Sequence, residues 1–99
     1  MDIRIQSVHF DATEKLKDFA SKKVTKLEKY SDEIISAEII LKVIKPEVSN
    51  NKDAAIKLNV KNGDLFANKT ADSFEEAIDL SVEALEKQLI KYKEKLQAK

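Results

Sequence analysis

SFEEAIDLSVEALEKQLIKYKEKLQAK, residues 73 to 99, is the stretch around which the rest of the chain is organised. Ser73 followed by Glu76 is a capping box: the serine hydroxyl accepts from the Glu76 backbone N–H, and the glutamate reaches back to the serine N–H. A helix therefore starts at Phe74. The apolar residues then fall at Phe74, Ala77, Ile78, Val82, Leu85, Leu89, Tyr92 and Leu96. At about 100° per residue this keeps them on one stripe for about six turns, roughly 35 Å of helix, and such a stripe needs a surface to bury it. The opposite side carries Leu80, Ala84, Lys87, Lys91 and Lys95, so three lysines point in line away from that surface. Every charged residue from Ser73 to Glu86 is acidic (Glu75, Glu76, Asp79, Glu83, Glu86), whereas from Lys87 to Lys99 five lysines face one acid, Glu94. Acids suit the N-terminal end of a helix dipole and bases its C-terminal end, but five lysines exceed what the dipole asks for.

Ninety-nine residues, 42% apolar and 36% charged, make one domain with one core, residues 1 to 99. The formal net charge is zero, so any basic function must come from segregation of charge rather than from a global field. Without cysteine there is no disulfide, thiolate metal site or thiol nucleophile. Met1 to Ser7 alternates and lacks a signal-peptide core, and no run reaches membrane-spanning length, so the expected location is cytoplasmic. One glycine and one proline leave little room for a phosphate-binding glycine loop.

Earlier in the chain, Ile3, Ile5 and Ser7 alternate with Arg4, Gln6 and Val8, the pattern of a half-buried strand ending near His9. Asp11 and Thr13 supply cap chemistry for a helix to about Tyr30, whose face reads Leu16, Phe19, Ala20, Lys23, Leu27 and Tyr30. Lys15, Lys22, Lys26 and Lys29 gather on one of its flanks, within a band of roughly 60°. Alternation from about Ser36 to Lys45 gives the longest strand, closed by Pro46 and followed by a polar loop, 47 to 52. A further strand through Ala54, Ile56, Leu58 and Val60 meets Asn62-Gly63, a strong hairpin signal because both central residues of a type I′ turn need positive φ. The returning strand runs from Asp64 to Ala71, with Leu65 and Ala67 facing inward. The order β-α-β-β-β-α predicts an α+β fold: a four-stranded mixed sheet, first two strands parallel and the rest a meander, with two helices packed on one face. Its core would hold Ile3, Ile5, Ile39, Leu41, Ile56, Leu58 and Leu65.

The residues argue against catalysis. His9 is the lone histidine and reads as a surface residue, and the acids at the start of the last helix read as partners of its dipole on a solvated face. No metal, cofactor or small-molecule substrate is expected, and no hydrolytic or nuclease activity. Tyr30 and Tyr92 are of the type that stacks on bases, but each fits its helix stripe and is read as core. Ile40, Ile44 and Phe66 share the uncovered sheet face. The lysines carry most. A single charged row is usually a solvated helix face, but two rows on helices that lie side by side bring up to eight lysines together: Lys22, Lys23, Lys26, Lys29, Lys87, Lys91, Lys93 and Lys95. Convergent lysines match a phosphate backbone, recognised by charge and shape more than by base identity.

Lys26-Leu27-Glu28-Lys29-Tyr30, Ile40-Leu41-Lys42, Asn62-Gly63 before Leu65-Phe66-Ala67, Ala77-Ile78-Asp79, and Leu85 through Lys93 together resemble the short ribosome hibernation-promoting factors, the ribosome-associated inhibitor or protein Y family. The resemblance covers essentially the whole chain and includes the β-α-β-β-β-α order. It implies a stationary-phase or stress factor that occupies the channel between head and body of the small ribosomal subunit, overlapping the mRNA path and tRNA sites. It further implies that Lys23, Lys26, Lys29, Lys87, Lys91, Lys93 and Lys95 contact ribosomal RNA. Ala84 stands where the family often has a base, Glu75 where it usually has tyrosine, and Lys87 where arginine is frequent, which loses fork geometry but keeps charge. The resemblance is to short members without the extra domain through which long members pair ribosomes, so pairing is expected to need a second factor. Two other classes fit parts of the sequence: a general double-stranded-RNA module, which shares the α-β-β-β-α order, and a protein-interaction module using the open sheet face.

Overall fold

A computed structural model of the chain describes residues 1–45, 49–61 and 63–97, the last two by their backbone. Its elements are β1 (Asp2–Val8), α1 (Glu14–Thr25) continued by a 3₁₀ segment (Lys26–Tyr30), β2 (Ile34–Val43), β3 (Lys52–Val60), β4 (Gly63–Ala71) and α2 (Phe74–Gln97). The strands lie in the order β1-β2-β3-β4, β1 parallel to β2 and the other pairs antiparallel. This is the α+β architecture that the alternations predict, a mixed four-stranded sheet with both helices on one face.

Register explains the core. One cross-strand row on the helix side reads Ile5, Ile39, Ile56, Ala67 and the next Ile3, Ala37, Leu58, Leu65. Ile39, Leu41, Ile56 and Leu58, on the two central strands, are fully buried. Ile3, Ile5 and Leu65 are only half-buried because β1 and β4 are edges. Against this surface α2 lays Phe74, Ala77, Ile78, Val82, Leu85 and Leu89, all buried as the stripe requires. Ser73 Oγ accepts from the Glu76 N–H at 3.2 Å, and Phe10 stacks on Phe74 with ring centroids 4.5 Å apart. Thr13 caps α1, its hydroxyl accepting from the Leu16 N–H at 3.1 Å.

Several expectations shift. The first helix is α-helical only to Thr25, where the threonine hydroxyl donates to the Ser21 carbonyl four residues back at 2.7 Å; such back-bonding perturbs helix geometry, and the chain tightens into 3₁₀. The second strand begins at Ile34 rather than Ser36, and a register shift between Ile34 and Ser36 lets Ile34 and Ala37 both face the core while Ile35 is expelled to 61% exposure. Val60 pairs with Gly63, so Gly63 opens β4, one residue earlier than the Asp64 start that the Asn62-Gly63 reading gives; the Lys61 N–H, donating to the Glu33 carbonyl at 3.1 Å, fixes that register. Asn62, Pro46 and Glu47 lie outside the described residues, and with them the type I′ turn at Asn62 and the closure of β2 by Pro46.

Ser81 is a core residue that apolar spacing does not reveal. It sits fully buried inside the apolar stripe of α2 and donates to the Ala54 carbonyl on β3 at 2.9 Å, where the small side chain of Ala54 lets the helix approach. Removing the hydroxyl in Ser81→Ala should lower stability by about 1 kcal/mol, read as a shift of the urea midpoint at constant m-value. Gly63 has φ +155, and beyond the glycine and its chain neighbours no atom lies within 4 Å of the position that a Cβ would take there, so a side chain at this point meets backbone strain and not crowding. Gly63→Val should destabilise by about 1 kcal/mol or more, and an unchanged melting temperature would rule this out.

Candidate nucleic-acid interface

The apolar stripe fixes the rotation of α2, and rotation decides where every charge on it points. At about 100° per residue, Asp79, Glu83 and Glu86 share one flank, and Lys87, Lys91 and Lys95 the other. The acidic flank faces α1. Between the helices runs a groove of about 480 Å³, with Lys23, Lys26 and Lys29 along one wall and Asp79, Val82, Glu83 and Glu86 along the other. Lys23 is half-buried there, its Nζ 3.0 Å from Asp79 Oδ1 and 5.4 Å from the centroid of the Phe19 ring. Its place within the apolar face of α1 is thus satisfied by an ion pair and a cation–π contact. Lys26 and Lys29 are exposed, the Lys29 Nζ lying 5.3 Å above the Tyr30 ring.

The basic flank of α2 faces the β4 edge. Gln88 Nε2 donates to the Phe66 carbonyl at 2.8 Å, and one turn away Lys69, Leu80, Glu83, Ala84 and Lys87 border a second hollow of about 280 Å³. Lys87 Nζ lies 3.7 Å from Glu83 Oε1; Lys91 and Lys95 follow it along the helix, both exposed. Ala84, expected on the outward side with Lys87, is half-buried against the core. Lys93 joins Lys29 at a third depression of about 230 Å³ that also holds Tyr30, Glu33 and Tyr92, with the Tyr92 hydroxyl donating to Glu33 Oε2 at 3.0 Å. Lys22 is exposed on α1 outside the groove lining.

The eight lysines therefore do not meet in one concave patch. Lys23, Lys26 and Lys29 form a cluster, Lys93 approaches its end, and Lys87, Lys91 and Lys95 line the far side of α2 near Lys69. Two features escape a reading of the sequence alone. Asp79, Glu83 and Glu86 are not merely dipole partners but a groove wall, a role signalled by their spacing of four and three residues. Lys69 is brought beside Lys87 only by the sheet register.

Elsewhere the chemistry is sparse. His9 has φ 69 and its Nδ1 lies 3.4 Å from the Val43 carbonyl. Among the described residues, no group of three or more histidine, cysteine or acidic side chains is placed to hold a metal, and no helix is long and apolar enough to cross a membrane. On the open sheet face Phe66 is 56% exposed and Ile44 exposed, while Ile40 is half-buried. Their surroundings are polar: the row through Phe66 reads Arg4, Glu38, Lys57, and Lys57 lies 3.7 Å from Asp64.

The fold and this charged helix face define a small α+β domain with lysines on both sides of its last helix, and comparison with known proteins identifies its family. Residues 3–97 match the family model described as Sigma 54 modulation protein / S30EA ribosomal protein. A ribosome hibernation promoting factor from Escherichia coli K12 is 35% identical over 96 residues, covering 97% of both chains. Another from Azotobacter vinelandii is 33% identical over 95 residues, 96% of this chain and 85% of that one. Among solved structures, a ribosomal subunit interface protein from Coxiella burnetii superposes with a TM-score of 0.82 at 25% identity, over 94% of this chain and 98% of that one. The Thermus thermophilus protein Y N-terminal domain shares the fold, with a TM-score of 0.80 at 22% identity over 93% and 99% of the two chains. The chain belongs to the S30EA family, which includes the ribosome hibernation promoting factors.

Both members of the Lys23–Asp79 pair keep partial access to water, with side chains 32% and 51% exposed. Asp79→Asn should therefore change unfolding free energy by no more than about 1 kcal/mol, as followed by thermal melting.

Proposed function

We propose that the protein is a ribosome hibernation factor. It binds ribosomal RNA in the mRNA and tRNA channel of the small subunit and lowers translation in stationary phase or under stress, in the cytoplasm. The observation that carries this reading is the placement of lysines along both flanks of α2, with Lys23, Lys26 and Lys29 on the α1 side and Lys87, Lys91 and Lys95 on the β4 side, in a chain of zero net charge. Segregated lysines on rigid helices suit phosphates at fixed spacing, as folded RNA presents them, and attract them without a global positive field. Lys22, exposed on α1 outside the groove, and Lys93, beside Lys29 at the third depression, are further candidate contacts. The names of the relatives at 33–35% identity support the same reading.

The work done is occupancy of a channel, not chemistry: binding alone excludes mRNA and initiator tRNA, and no cofactor, metal or small-molecule substrate takes part. The polar neighbours of Phe66 give the open sheet face little apolar area for a protein partner, and the acidic start of α2 is unlike the lysine-bearing start that a general double-stranded-RNA module would want.

Reversing Lys87 and Lys91 to glutamate should abolish co-sedimentation with the small subunit and relieve inhibition of in-vitro translation while leaving the melting transition in place, because both side chains point away from the core. Lys57→Glu, on the open sheet face, should change little. If the double reversal sediments with ribosomes at wild-type affinity from low to high salt, the α2 lysines are a solvated surface and the proposal fails.

A further inference from the structure

The interhelical groove poses a problem for any polyanion. Three lysines suited to phosphate face three carboxylates across the same channel, so the net charge of its lining is zero. One of those lysines is already engaged, with Lys23 Nζ at 3.0 Å from Asp79 Oδ1, and Glu83 reaches both flanks of α2, bordering the groove and lying 3.7 Å from Lys87. Helix formation does not require this arrangement. Dipole stabilisation falls off within the first turn, where Glu75 and Glu76 already sit, whereas Asp79, Glu83 and Glu86 lie beyond it. Across the groove Lys23 and Asp79 stand 3.0 Å apart, well inside the screening length of about 8 Å at physiological salt, so a phosphate entering there feels the acid as well as the lysine.

We propose that Asp79, Glu83 and Glu86 are specificity-determining residues. They neutralise the lysines of the opposite wall against arbitrary nucleic acid, so that Lys23, at the end of α1, and Lys26 and Lys29, in the 3₁₀ segment, become available only to a rigid phosphate array that engages both walls at the same time. This deepens, and rests on, the reading of the protein as a binder of ribosomal RNA. A flexible single strand gains little by displacing Lys23 from Asp79, since each contact it makes in the groove is offset by a carboxylate opposite. A folded RNA anchored on Lys87 and Lys91 meets the groove as part of one docking event and holds its phosphates there. The acids thereby lower affinity for unstructured RNA more than affinity for the intended site.

The test compares the wild-type protein, the triple variant Asp79→Asn, Glu83→Gln, Glu86→Gln, and a control of equal charge change outside the groove, Glu75→Gln, Glu76→Gln, Glu94→Gln. Each is titrated with an oligouridylate and with purified small ribosomal subunits over a range of salt. The groove variant should bind oligouridylate on the order of tenfold more tightly at low salt, and with three lysines freed its log–log salt slope should steepen by about two units. The control should gain clearly less, and the ratio of subunit to oligouridylate affinity should fall in the groove variant alone. Equal affinity and slope for groove variant and wild type, or an equal gain in the control, would overturn the inference. Failure of the wild-type protein to bind small subunits would instead overturn the functional reading, and the oligouridylate comparison would still report what the acids do. Should the triple variant not fold, Glu83→Gln, Glu86→Gln keeps the Lys23–Asp79 pair and carries the same comparison.

Discussion

Everything on the surface of this protein is set by how one helix is buried. Ile78, Ser81, Leu85 and Leu89 of α2 lie at zero exposure on the sheet, and the Ser81 hydroxyl is bound to a β3 carbonyl, so the helix has one admissible rotation. Turning it by one residue, about 100°, would drive lysines or glutamates into a core that offers them no partner. The parallel pairing of β1 with β2 adds the second half of the constraint. The crossover carries α1 over the sheet face that α2 uses, and the two helices must share it.

From these two facts the charge distribution follows. With its apolar stripe facing down, α2 has one flank for α1 and one for the β4 edge, and the chain has given the two flanks opposite signs. A protein of zero net charge thus carries a balanced channel on one side of its longest helix and a lysine ridge on the other. The ridge is open to a partner from outside, whereas the channel is internally compensated, so the two flanks answer differently to salt and to the stiffness of what approaches them.

Much of this is legible in the sequence. Strand alternation at Ile3 and Ile5, Ala37 to Val43 and Ala54 to Val60, with the stripe from Phe74 to Leu89, yields element order, topology and the central core, because the two periods, two and about 3.6 residues, are distinct and each recurs over several residues. What is less legible depends on tertiary register. The shift near Ile35 and the displacement of the hairpin at Gly63 arise from pairing to neighbouring strands, for which local propensity holds no signal. Ser81 looks like a lapse in an apolar pattern until the Ala54 carbonyl beneath it is seen. The lysines can be read off as residues, but their grouping cannot: helix periodicity tells which side of a helix a residue occupies, not which neighbour lies on that side. The family resemblance points to the same lysines without telling which of them face acids.

The hydrogen bond from Gln88 to the Phe66 carbonyl has a further result. β4 is an edge strand nine residues long, and an edge of that length presents main-chain donors and acceptors that another strand can copy. Gln88 occupies one of those acceptors from above, and the exposed lysine at position 69 sets a charge farther along the same strand. An incoming strand would have to displace the amide and bury the ammonium group to zip along the edge. The helix that carries Lys87, Lys91 and Lys95 thus also guards the sheet against strand exchange, a safeguard whose value grows with the concentration of the chain.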